Sequence, residues 1–133
     1  VKFKFNLNIG CPKNYRPSKF VLNWVKENNR KINIFYDPKK AVKNADVLFS
    51  DKVVSLNDKV NKLKKIKDFK NYQVNTSLIK HAKKDAIFLH CLPRGNEVSD
   101  EVFSGKQSRV WQQALNRVYV QKSILLYCFE KLR

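Results

Sequence analysis

Apolar and polar positions change period several times along this chain, and each change marks an element. Phe3 to Pro12 (FKFNLNIGCP) alternates as a strand does and closes on Gly10 and Pro12. Phe20, Val21, Trp24 and Val25 then fall on one face of a helix. Lys31 to Tyr36 (KINIFY) predicts a second strand, and Asp37-Pro38 supplies an N-cap and first-turn proline for a helix carrying Ala41 and Val42. Ala45 to Asp51 (ADVLFSD) predicts a third strand. The pattern then breaks into a loop before a basic helix from about Asp58 to Phe69, with Leu63, Ile66 and Phe69 at spacing three. A helix capped near Asn75 or Thr76 and running to Lys83 leads to a fourth strand, Ala86 to Cys91 (AIFLHC). Ser99 is placed to cap a short helix over SDEVF, and Ser108 to Leu132 reads as one long helix.

Strands alternating with helices in this way imply an α/β domain: a central parallel sheet flanked by helices in three layers, plus the long C-terminal helix. In such sheets ligands sit outside the carboxyl ends of strands. That directs attention to Asp51 to Leu56 after the third strand and to His90 to Arg94 after the fourth. Neither GxGxxG nor GxxxxGK[ST] occurs, so no dinucleotide or P-loop site is indicated.

Composition narrows the picture further. With 133 residues, 43% of them hydrophobic, the chain suits one domain with a real core. Its net charge of +17 would suit an anionic partner, but the 28 basic residues are mostly lysines scattered through every segment. Lysine lacks the bidentate fork that reads bases, and no basic stripe is interleaved with aromatics, so no nucleic-acid partner is expected. Cys11, Cys91 and Cys128 lie far apart without a CxxC pair. That gives no metal pattern and suits a reducing, cytoplasmic setting. No apolar run approaches the ~20 residues of a membrane helix, and the opening residues do not read as a signal peptide. No methionine occurs, so Val1 need not be a natural start.

Each candidate residue has a plain reading beside a chemical one. His90-Cys91 is either an ordinary strand exit, with a core thiol and a loop-bonded imidazole, or the rim of a catalytic cleft. Asp51 and Ser55 serve as turn or capping residues, or Asp51 grips a ligand amine. Arg117 is a solvated helix arginine, or a fixed cation facing the strand ends.

In combination these residues resemble a known family. ADVLFSDKVVSLND, YQVN, DAIFLHCLPRGNEVSDEVF and ALNRVYVQKSIL occur in the order and spacing of the carboxyl-terminal half of ornithine carbamoyltransferases. HCLP, then E-V-x-D-E-V-F, then an N-R helix is the specific part. The resemblance implies an ornithine-binding domain over residues 1–133, incomplete at its amino terminus, with the carbamoyl-phosphate-binding domain outside the chain. It implies transfer of the carbamoyl group of carbamoyl phosphate to the side-chain amine of L-ornithine, giving citrulline without metal or organic cofactor. Asp51, Ser55 and Leu56 match the D-x-W-x-S-M-G loop that holds ornithine. Cys91 and Leu92 match the junction of the two substrates, and Arg117 matches the arginine on carbamoyl phosphate. His90 and Pro93 shape the turn, and a cis Leu92-Pro93 bond is expected. Trimer-based assembly is expected of the whole protein.

The substrate loop departs from the pattern. Val53 replaces Trp, Leu56 replaces Met and Asn57 replaces Gly, so the amine could also be putrescine or acetylornithine. The amino-terminal S-T-R-T and H-P-x-Q segments and the G-D-x-x-N-N segment are not in the chain. The isolated chain is therefore expected to be inert, with an apolar stripe near Val118, Ile124 and Leu125 exposed. A non-enzymatic basic binding module on the same fold is the alternative.

Overall fold

The structure is a computed structural model that describes residues 5–28, 30–54 and 61–131. It opens with two strand-helix units. Strand β1 (Leu7–Gly10) leads through helix α1 (Lys19–Glu27) to β2 (Ile32–Phe35), which pairs with β1 in parallel, Leu7 opposite Ile32. Helix α2 (Pro38–Val42) carries the chain onward to β3 (Val47–Ser50). Its start is built as the sequence implies: the Asp37 carboxylate accepts from the Lys39 N–H at 2.9 Å and Pro38 occupies the first turn. Gly10 lets α2 approach, because a Cβ there would stand 3.0 Å from Ala41 Cβ.

The second half repeats the theme around a denser core. Helix α3 (Lys62–Phe69) is capped by the Asn61 side chain, which accepts from the Lys64 N–H at 3.1 Å, and α4 (Thr76–Ile79) by Asn75, which accepts from the Leu78 N–H at 2.9 Å. Strand β4 (Ile87–His90) pairs with β3 in parallel, Ser50 opposite His90. The outer edge of β4 is occupied, since the Phe88 N–H donates to the Gln107 carbonyl and the Phe88 carbonyl accepts from the Arg109 N–H, both at 2.8 Å. Helix α5 (Asp100–Phe103) and the 22-residue helix α6 (Val110–Lys131) complete the chain. Phe88, Leu48, Val74, Leu78, Val98 and Val110 lie in one buried cluster beneath β3 and β4.

The α/β arrangement with parallel strands and a long C-terminal helix is as expected, and among the described residues the strands ladder as two parallel pairs, β1-β2 and β3-β4. Two expectations are revised. Helix α4 ends at Ile79 rather than Lys83; its next turn gives way when the Lys83 N–H donates across to the Ala45 carbonyl at 3.1 Å, tying the chain to the start of β3. Ser99 sits at the N-cap position of α5 without a side-chain capping bond. The start expected near Asp58 for the basic helix lies outside the described residues.

Helix α6 carries the expected exposed stripe, with Val118, Ile124 and Leu125 all more than half exposed. Only Val110, at its first turn, is buried. Helix α1 likewise buries none of its residues, and Phe20 is 79% exposed. Among the described residues no helix is long and apolar enough to cross a membrane.

Candidate functional site

Parallel register brings the two suspected loops together. Ser50 and His90 are the last paired residues of β3 and β4, so the next residues, Asp51 and Cys91, leave the sheet side by side. The Cys91 thiol donates to Asp51 Oδ1 at 3.0 Å, and the same carboxylate oxygen accepts from the Lys52 N–H at 2.7 Å. These two bonds, the thiol's first, hold the Asp51 carboxyl below the usual carboxylate range. Partial burial and then the hydrogen bond to Asp51 push the Cys91 thiol above its ordinary value. At neutral pH the pair is therefore a carboxylate and a neutral S–H donor. That is the wrong state for a nucleophilic sulfur and the right one for gripping an amine.

Behind this pair lies a buried support. His90 is 1% exposed because it shares the inward face of β4 with Phe88. Its Nδ1 faces the Cys91 carbonyl, which can only accept, so Nδ1 carries a proton. Its Nε2 meets Glu97 Oε1 at 2.9 Å, and Glu97 Oε1 also accepts from the Gly95 N–H. The His90 N–H donates to Gln113 Oε1 of α6 at 3.0 Å. Between His90 and Glu97 the chain passes through a cis Leu92-Pro93 bond, as expected, and Leu92 is exposed. The Arg94 guanidinium pairs with Asp100 and lies 4.8 Å from the centre of the Phe103 ring, fixing the far side of the turn.

The site is thus assembled in part. Asp51, His90, Cys91, Leu92 and Pro93 converge. Arg117 does not join them: it is exposed on α6 and has no hydrogen-bond or ion-pair partner among the described residues. Ser55 and Leu56 lie outside the described residues. Sequence reasoning missed Glu97 and Gln113. Strand parity gave the usable signal: His90 stands two residues after the inward Phe88, so a buried imidazole needed acceptors, and Glu97 is the acid within reach across the turn. Beside the site, a cavity of about 910 Å³ runs between β1 and β3, with Ser50, Asp51 and Lys52 at one end.

Comparison with known proteins gives the family. Residues 1–128 match the profile of the aspartate/ornithine carbamoyltransferase family, Asp/Orn binding domain. The ornithine carbamoyltransferase of Nitratiruptor sp. is 43% identical over 98% of the chain, and that of Staphylothermus marinus is 47% identical over 88%. The chain spans 44% and 39% of the lengths of those two relatives. Among solved structures, the anabolic ornithine carbamoyltransferase of Campylobacter jejuni superposes with a TM-score of 0.81 at 36% identity, covering 96% of this chain and 44% of that one. The enzyme of Pyrococcus furiosus gives a TM-score of 0.78 at 39% identity, covering 90% of this chain and 40% of that one. The chain belongs to the aspartate/ornithine carbamoyltransferase family, as its Asp/Orn binding domain.

Proposed function

We propose that these 133 residues form the ornithine-binding half of an ornithine carbamoyltransferase, which transfers the carbamoyl group of carbamoyl phosphate to the side-chain amine of L-ornithine. The observation that carries this reading is the Asp51–Cys91 contact at the ends of two paired strands, in a chain whose relatives bear that name. An ammonium has no lone pair, so the amine must lose a proton before it attacks the carbamoyl carbon. The Asp51 carboxylate attracts the amino-acid portion of the substrate and orients it, and the neutral Cys91 thiol hydrogen-bonds beside the reacting nitrogen. As the C–N bond forms, the bond to the phosphate oxygen breaks, phosphate leaves, and the nitrogen's surplus proton passes to the departing phosphate or to solvent. Leu92 lines the junction of the two substrates. Arg117 is assigned to the carbamoyl oxygen, which gains negative charge in the tetrahedral intermediate. Ser55 and Leu56 complete the ornithine loop. In this role Arg117 requires the second domain, which brings carbamoyl phosphate to it, and a trimer-based assembly belongs to the same proposal.

The test is a chimera joining this chain to the part of the Nitratiruptor relative outside the match, assayed for product from ornithine, putrescine and acetylornithine. Citrulline from ornithine is expected, with Cys91→Ala and Asp51→Ala each lowering kcat/KM by about 100-fold or more. A larger rate with putrescine or acetylornithine would reassign the substrate. A folded chimera with no turnover of any amine would favour a binding module over an enzyme.

A further inference from the structure

Among the described residues only two polar residues are buried, His90 and Glu97, and they meet directly behind Cys91. Their surroundings are apolar: the Phe88 and Phe103 rings stand 6.2 and 6.4 Å from the imidazole, centre to centre. Arg94 of the same turn does not offset the carboxylate, because its guanidinium is committed to Asp100 and to the Val98 carbonyl. Glu97 is left with two partners, both on Oε1: His90 Nε2 at 2.9 Å and the Gly95 N–H. Withdrawing such a pair from water cancels most of what its attraction contributes, and two apolar side chains of the same size would stabilise the fold as well. An apolar pair could not fix a direction.

The direction is visible at His90, which is held at three points: its N–H by Gln113 of α6 at 3.0 Å, its Nδ1 by the Cys91 carbonyl and its Nε2 by Glu97. The Cys91 backbone follows from it, and the thiol it carries donates to Asp51 Oδ1 at 3.0 Å. We propose that Glu97 is a positioning residue: through the His90 ring it fixes the Cys91 carbonyl, and so aims the Cys91 thiol at Asp51. Two features of the turn suit that role. Gly95 leaves the carboxylate room, since a Cβ there would lie 2.8 Å from Oε2. The backbone of Glu97 is anchored separately, its carbonyl accepting from the Val74 N–H at 2.9 Å and the Ser99 N–H donating to the Val74 carbonyl at 3.0 Å. The side chain can therefore change while the turn stays in place. The inference rests on the proposed function only where it takes Cys91 as a substrate contact; the aim of the thiol is read without substrate.

Glu97→Gln keeps the volume and breaks the arrangement. With Nδ1 donating to the Cys91 carbonyl, a neutral ring presents Nε2 as an acceptor, and no single amide atom can both donate to it and accept from the Gly95 N–H. A charged ring would be left buried without a counter-ion. Iodoacetamide labelling of the 133-residue chain at pH 8, followed by peptide mapping, reads Cys91 against the buried Cys11. A thiol released from the carboxylate titrates lower, so Cys91 in Glu97→Gln should label about threefold faster or more while Cys11 keeps its rate. On the Asp51→Ala background, where the thiol has no carboxylate to be aimed at, the same substitution should add nothing. Gly95→Ala, which displaces the carboxylate from its other side, should repeat both results. An unchanged Cys91 rate, an equal acceleration on both backgrounds, or acceleration of Cys11 alongside Cys91 in both variants would overturn the positioning. In the chimera, Glu97→Gln should lower kcat about tenfold with KM for ornithine within about twofold, and an active chimera that keeps its kcat would overturn the role in catalysis. A chimera that turns over no amine bears on the proposed function alone.

Discussion

Cys91 is held as a thiol by what surrounds it, first by partial burial and second by the Asp51 carboxylate. The second cause is removable. In Asp51→Ala the acceptor and its negative charge are gone, so the thiol should titrate lower and iodoacetamide should label Cys91 severalfold faster at pH 8. Peptide mapping separates it from the exposed Cys128 and the buried Cys11. An unchanged rate across the pH range would mean that the Cys91–Asp51 bond does not set the thiol's state. At this scale the sequence was legible where chemistry follows chain position: Asp51 and Cys91 close the predicted third and fourth strands, and the register made them neighbours. Strand parity signals that a buried His90 needs acceptors, but the choice of Glu97 depends on how the turn between them folds back.

Among the elements, those with local causes were read correctly. Asp37-Pro38 starts α2, Asn75 caps α4, and β4 follows its apolar run. The Asn75 cap is testable by itself, because α4 is short and carries the buried Leu78 and Ile79 into the core. Asn75→Ala should cost about 1 kcal/mol in urea unfolding, with the slope m unchanged. A loss within error of zero would show that core packing alone positions this turn. Element ends set by distant contacts were not legible. The Lys83-to-Ala45 bond that shortens α4 joins segments 38 residues apart, and no local pattern announces it.

For the molecule as a whole, helical and strand periodicity told which faces are apolar but not which are covered. Phe20 and Trp24 on α1, and Val118, Ile124 and Leu125 on α6, have the spacing of core positions, yet all are exposed in this chain. Strand-helix alternation implied the parallel arrangement, but it counts strands without saying which edges meet. Exposed apolar faces of this extent promote association. The isolated chain should therefore show concentration-dependent self-association in sedimentation velocity despite its charge of +17. A triple Val118→Ser, Ile124→Ser, Leu125→Ser variant should remain monomeric to higher concentration. A wild-type chain monomeric at every concentration would show that charge repulsion outweighs the apolar faces.

Helix α6 joins these scales. Its 22 residues make a rod about 33 Å long. It is gripped near one end, where Val110 enters the core and Gln113 accepts from the His90 N–H. It is thus a cantilever with its clamp bolted to the residue before Cys91. A load applied to the free end, by whatever docks there, bears first on that clamp, so the far tip of the helix has mechanical access to the Leu92-Pro93 turn without approaching it.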